Sequence, residues 1–187
     1  MNYTPEERLY FDPYTLRRIE RELSTRRHVE RYTMLRQWCY GTVIDCACGC
    51  GYGTNLISKN PDVDKVTGID ISSNAIAWAR TNFKEPNIEF ICSNIFDLTK
   101  LTADVMVSIE TIEHIKETDK YMQVLSRIGA TKIILSYPTK KSTHYNTYHY
   151  YDFTRTQIEK LFLDIGYKIT KYINLYYEVA LVHLEKI

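Results

Sequence analysis

From residue 42 onward, short apolar runs at 42–46, 66–71, 88–92, 105–109 and 133–137 alternate with intervals long enough to hold a helix. Antiparallel strands can be joined by a tight turn, whereas parallel strands need a crossover of roughly a dozen or more residues, usually a helix. Runs spaced in this way predict a parallel, doubly wound sheet. Helical spacing places crossovers at 55–59, 74–83 and 119–129, with Ser72 or Ser73 as the N-cap of the second. A polar, aromatic loop follows Pro138, and a helix over 154–165 stops at Gly166. The last two runs, 168–175 and 178–184, have no helix-length interval between them and predict an antiparallel hairpin at the sheet edge. The expected architecture is α/β, with one seven-stranded sheet, parallel apart from this hairpin, and helices on both faces.

Ahead of this alternation, apolar residues recur at helical spacing: Leu16, Ile19 and Leu23, then Val29, Tyr32, Leu35 and Trp38. They predict one or two helices forming a cap over 1–40 on a core over 42–187, the whole a single domain of 187 residues. Between Arg17 and Arg36 there are seven Arg and three Glu. Such a run is a solvated helix face by default and a patch for an anionic partner by the sharper reading. Over the whole chain 24 Lys and Arg balance 23 Asp and Glu, so there is no basic excess of the kind that phosphate neutralisation requires. No apolar run approaches the about 18 residues needed to cross a bilayer, and the first residues form no apolar signal core. The expectation is a cytoplasmic protein without membrane insertion. Five cysteines, an odd number with three clustered at 46, 48 and 50, suit a reducing compartment. Nothing in the sequence sets an oligomeric state.

Chemistry enters at Val43-Ile-Asp-Cys-Ala-Cys-Gly-Cys-Gly-Tyr-Gly-Thr54, which places small residues at 47, 49, 51 and 53 between the first strand and a helix. There a backbone can turn tightly and approach a ligand, with helix N-terminal amides facing it. The second strand ends in Asp70, 17 residues beyond Gly53, where a carboxylate can accept both hydroxyls of a ribose. Together these features predict a nucleoside-type cofactor. Alternate cysteines at 46, 48 and 50 do not match the paired spacing of structural zinc sites and are read as small packing residues beside the ligand.

In order and spacing, the chain from about residue 28 resembles the class I S-adenosylmethionine-dependent methyltransferases, whose sheet is Rossmann-like and ends in an antiparallel hairpin. The first motif of that family looks like Asp45 to Gly53, with Ala47 where glycine is usual. The resemblance implies that Asp45 orients the methionine amino group, that Gly49 and Gly51 let the backbone approach the cofactor, and that Asp70 holds the ribose. It places Ile71 against adenine and Asn94, beside Ile95, as acceptor for the adenine amino group, a role open to an amide carbonyl. His28-Val-Glu-Arg31-Tyr32 looks like a segment that covers the cofactor in some relatives. Arg31 then meets the methionine carboxylate, or else pairs with Glu30 or Glu20 in solvent.

Methyl transfer from a sulfonium is an in-line displacement to which an enzyme mainly contributes proximity and orientation. A base is needed only where the acceptor must lose a proton. After the fourth strand, Glu110, Glu113 and His114 stand at helical i, i+3, i+4 spacing, and His149-Tyr-Tyr-Asp152-Phe-Thr-Arg155 follows the fifth. The Glu-x-x-Glu-His stretch resembles both the ubiquinone-pathway O-methyltransferases and the small-RNA 3′-terminal 2′-O-methyltransferases. The second resemblance implies a divalent cation, Mg²⁺ or Mn²⁺, on Glu110, Glu113, His114 and His149. Proton transfer by His114, His149 or Glu110, and a purely structural role, stand beside it.

Sixteen tyrosines are present, five of them between 137 and 151, where such enzymes place a substrate cover. The expected activity is methyl transfer to an oxygen or nitrogen of a small-molecule acceptor. A metal-dependent RNA 2′-O-methyltransferase is the first alternative, and a cofactor-binding accessory subunit the second. DNA is disfavoured, because Ser108-Ile-Glu-Thr stands where amino-methylating DNA enzymes carry an Asp/Asn-Pro-Pro-aromatic tetrad.

Overall fold

The computed structural model describes residues 23–98 and 101–187. Among them the order is α1 (Leu23–Leu35), β1 (Gly41–Cys46), α2 (Tyr52–Ser58), β2 (Val63–Asp70), α3 (Ser73–Asn82), β3 (Ile88–Cys92), β4 (Val105–Ile109), α4 (Thr118–Ile128), β5 (Lys132–Pro138), α5 (Arg155–Leu163), β6 (Tyr167–Leu175) and β7 (Val179–Lys186). Seven strands form one sheet in the order β3-β2-β1-β4-β5-β7-β6. β1 to β5 pair in parallel, and β7 runs antiparallel to both its neighbours. The hairpin forms the sheet edge, with its second strand, β7, against β5 and its first, β6, outermost.

Strand periodicity divides the core in two. Val43, Val66, Val105, Val107 and Ile134 pack with Tyr32 and Leu35 of α1, Ile57 of α2 and Ile76 of α3. Ile44, Met106, Ile133, Leu135 and Val182 face the other way, onto Leu125 of α4 and Ile158 and Phe162 of α5. Central β4 is buried along its whole length, which is why its sequence reads as an unbroken apolar run.

Local signals fix the helix ends. Ser72 caps α3 by accepting from Ala75 N, which settles the choice between Ser72 and Ser73. Thr154 and Gln157 form a reciprocal capping box on α5. α2 starts at Tyr52 rather than at 55, because Gly51 takes the left-handed conformation (φ +82°) as its N-cap and Gly53 already lies inside the helix. A Cβ at Gly53 would overlap the ring of Tyr32, so this glycine is what lets α1 sit against α2.

Leu16, Ile19, Arg17 and Glu20 lie outside the described residues. Arg26 pairs with Glu30 at 3.0 Å, Arg27 with Glu178 at 2.6 Å, and Arg31 is buried. No described helix is long and apolar enough to cross a membrane.

Two histidines make this fold acid-sensitive. His183 of β7 is buried against Trp38, ring centroids 4.0 Å apart, and burial, reinforced by Lys132 and Lys171, pushes it down to about 4. Burial, reinforced by Arg31, pushes His28 down to about 3. The unfolded chain takes up these protons near pH 6.5 while the folded protein does not, so acidification below that value favours unfolding. Urea melts from pH 7 to pH 5 should show stability falling, with His183 contributing on the order of 1 kcal/mol. His183→Gln should flatten that slope.

Candidate active site

The loop joining β1 to α2 is shaped by three left-handed residues, Ala47, Gly49 and Gly51, at φ +56°, +55° and +82°. At Ala47 the cost of replacing the usual glycine is therefore conformational rather than one of room, about 1 kcal/mol. Cys48 N donates to Ile69 O and Gly49 N to Asp70 Oδ2, both at 2.9 Å, clamping the loop onto the end of β2. The two central glycines do different work. A Cβ on Gly49 would meet nothing within 4 Å, whereas one on Gly51 would lie 2.6 Å from the Phe90 ring and 2.7 Å from Ala79 Cβ. Gly49 faces the open cavity. Gly51 is not among the cavity-lining residues, and its absent side chain makes room for α3 and β3 instead.

Asp45 is likewise not among the cavity-lining residues. It is wholly buried, and its two carboxylate oxygens accept from Tyr32 Oη at 3.1 Å and Thr54 Oγ1 at 2.7 Å. Burial pushes it up to about 7 against those two hydrogen bonds. Tyr32, standing in front of it, lines the cavity together with His28 and Tyr52. Tyr32 and Tyr52 meet edge to face at 5.4 Å. Arg31 does not reach solvent to pair with Glu30, which is held by Arg26 and by Tyr176 Oη. It is buried at 3% exposure behind the same wall, and its Nε has no hydrogen-bond partner among the described residues.

At the end of β2, Asp70 is buried and lines the cavity. Its Oδ2 accepts from Gly49 N and its Oδ1 from Ser72 N at 2.8 Å. Ile71 beside it is 63% exposed and forms an apolar wall with Ile95. Asn94 also lines this end, but its Oδ1 already accepts from Phe96 N at 3.0 Å as a helix cap. One lone pair of that oxygen is left for a ligand.

The opposite end is built by the chain leaving β4. Glu110 adopts a left-handed φ of +49° and its carboxylate accepts from Ser136 Oγ at 2.7 Å. The next residues form a single 3-10 turn, Ile112–His114. This backbone reversal separates Glu110 from the cluster that helical spacing predicted. A donor atom each from Glu113, His114 and His149 lies within 4.8 Å of the others, and Glu110 is not part of the group. Glu113 is 1% exposed, and the His114 and His149 rings meet edge to face at 4.5 Å. The cover loop is docked onto this turn by Tyr150 N to Glu113 O at 2.8 Å, Tyr151 Oη to Lys116 O at 2.8 Å, and His114 Nδ1 with Tyr148 O at 3.1 Å.

A cavity of 1410 Å³ joins the two ends, reaching from Ala47, Gly49, Asp70 and Asn94 to Glu110, Glu113, His114 and His149. Of the five clustered tyrosines, Tyr145, Tyr148 and Tyr150 line it, Tyr137 is buried in the core, and Tyr151 is bonded to the turn. Cys46, Cys48 and Cys50 also line it as free thiols. Burial holds the Cys46 thiol up at about 12.

Residues 40–175 match the family described as a methyltransferase domain. A Mycobacterium tuberculosis protein named "Probable S-adenosylmethionine-dependent methyltransferase" is 26% identical over 153 residues, covering 76% of this chain and 54% of its own length. The chain thus spans about half the length of the curated relatives it matches. Among solved structures, the methyltransferase domain of bacterial CtHen1-C superposes with a TM-score of 0.69 at 19% identity, covering 88% of this chain and 99% of that one. The N-methyltransferase NodS of Bradyrhizobium japonicum, solved with S-adenosyl-L-homocysteine, gives 0.72 at 15% identity, covering 94% and 92%. With residues 40–175 matched and a seven-stranded sheet of the fold shared with those methyltransferase structures, the chain belongs to the methyltransferase domain family.

Proposed function

We propose that the chain binds S-adenosylmethionine between Gly49, Asp70, Ile71 and Asn94 and transfers its methyl group to an oxygen or nitrogen of a small-molecule acceptor under Tyr145, Tyr148 and Tyr150. The observation that carries this reading is the single cavity running from the Gly49–Asp70 end to the His114–His149 end. Bound S-adenosylmethionine would supply a methyl group activated on its sulfonium, and His114 or His149 would take the proton that the acceptor gives up. Holding the partners in line supplies most of the acceleration, up to about 7 to 11 kcal/mol in favourable cases. Five free thiols support action in the reducing cytoplasm.

One observation favours a second reading, transfer to a ribose 2′-oxygen of RNA with a divalent cation. The convergence of Glu113, His114 and His149 is a donor set that fits such an ion. These three residues would hold it, and Glu110, turned onto Ser136, would not. A bound Mg²⁺ or Mn²⁺ lowers the pKa of a nearby hydroxyl. The two readings separate when methyl groups from labelled cofactor are offered to a cell extract fractionated into small molecules, RNA, DNA and protein. Label in the small-molecule fraction is expected. Label in RNA selects the second reading, and cofactor binding without label in any fraction selects the accessory-subunit reading.

A further inference from the structure

We propose that Ser142 and Asp152 are positioning residues for His149: the Ser142 hydroxyl holds that imidazole in its Nδ1–H tautomer and leaves Nε2 as the lone-pair nitrogen at the chemical end of the cavity. This rests on the reading of Glu113, His114 and His149 as that end. Ser142 is 2% exposed, and its Oγ lies 2.6 Å from His149 Nδ1 and 3.3 Å from Asp152 Oδ1. A hydroxyl has one proton to give, and a carboxylate can only accept. Were the proton aimed at His149, a lone pair of Ser142 Oγ would face the carboxylate at 3.3 Å. Donation to Asp152 removes that repulsion, and the oxygen then receives a hydrogen bond from His149 Nδ1–H.

Asp152 is fixed for this task. Besides Ser142 Oγ, it accepts from Ser142 N at 2.6 Å, Thr143 N at 3.2 Å and Thr143 Oγ1 at 2.6 Å. These bonds hold its carboxyl down at about 2, so it is an anion throughout the physiological range. His114 reaches the same state by a different route. Its Nδ1 lies 3.1 Å from Tyr148 O, and a carbonyl can only accept, so Nδ1 carries the proton and Nε2 the lone pair. The two rings meet edge to face at 4.5 Å, with Glu113 buried beside them. In the opposite tautomer His149 would present an N–H there, which can neither take an acceptor proton nor hold a cation. A partner that fixes the ring tautomer is the usual way such a histidine is prepared.

Heteronuclear NMR of the ring nitrogens above the imidazole titration range reads the tautomer directly, in the wild-type protein and in Ser142→Ala and Ser142→Thr. His149 is expected as Nδ1–H in the wild type, to shift toward Nε2–H in Ser142→Ala, and to return in Ser142→Thr. Turnover should fall about 10- to 100-fold in Ser142→Ala, with S-adenosylmethionine affinity unchanged by calorimetry, a control that also reports folding. Nε2–H in the wild type, or an unchanged tautomer in Ser142→Ala, overturns the proposal. If the tautomer shifts as expected while Ser142→Ala and His149→Ala both keep full turnover, the positioning stands and the reading of the cluster as the chemical end fails.

Discussion

Asp70→Ala lowers S-adenosylmethionine affinity by about 100-fold or more. On the proposed reading the carboxylate, held at the end of β2 by Gly49 N and Ser72 N, accepts both ribose hydroxyls. Hydrogen bonds to a charged partner contribute about 1.5 to 3 kcal/mol each, and about 1.4 kcal/mol is a factor of ten, so losing two costs at least that much. The same side chain clamps the loop through Gly49 N, so the substitution also loosens the backbone on the methionine side. Asp70→Asn keeps one acceptor oxygen but no charge, and should fall between the wild type and the alanine variant. Calorimetric titration decides this, and unchanged affinity in Asp70→Ala would remove the pocket assignment.

Glu113→Gln and His149→Ala should each lower turnover by at least about 100-fold, the scale of general acid–base contributions, while leaving cofactor affinity within a factor of about two. Both residues stand at the far end of the cavity from Gly49 and Asp70. Glu110→Gln should have a smaller effect, because its carboxylate is turned onto Ser136 and away from the cluster. A chelator separates the two chemical readings. Abolished turnover with retained cofactor affinity identifies a held cation, whereas full turnover in excess chelator leaves proton transfer by the imidazoles. Loss of cofactor affinity in Glu113→Gln would contradict the division of the cavity into two ends.

What the sequence revealed, and what it concealed, follows from the range of the interactions involved. The runs at 88–92 and 105–109 coincide with β3 and β4 because an apolar stretch bounded by polar residues is a local signal. The place of β7 between β5 and β6 is a tertiary choice that no interval length records. Gly49 and Asp70 were legible because a loop, a strand and their spacing are all local. Asp45 was legible as a residue but not in its setting. Its partners Tyr32 and Thr54 come from two helices, so the tyrosine that stands between the carboxylate and the cavity left no pattern.

Glu110 was misplaced by extending a helical spacing across a residue whose backbone turns left-handed, after which only one 3-10 turn follows. Ser142 gave no signal, since its contacts span 7 and 10 residues of an irregular loop. The tyrosine excess proved heterogeneous, with Tyr137 serving the core and Tyr145, Tyr148 and Tyr150 the cavity.

A crystal structure with bound S-adenosyl-L-homocysteine tests the central claim most directly. The account predicts ribose hydroxyls on Asp70, the adenine edge beside Ile71 and Asn94, and the sulfur directed along the cavity toward His114 and His149. A ligand seated elsewhere, or a sulfur turned away from those two histidines, would contradict it.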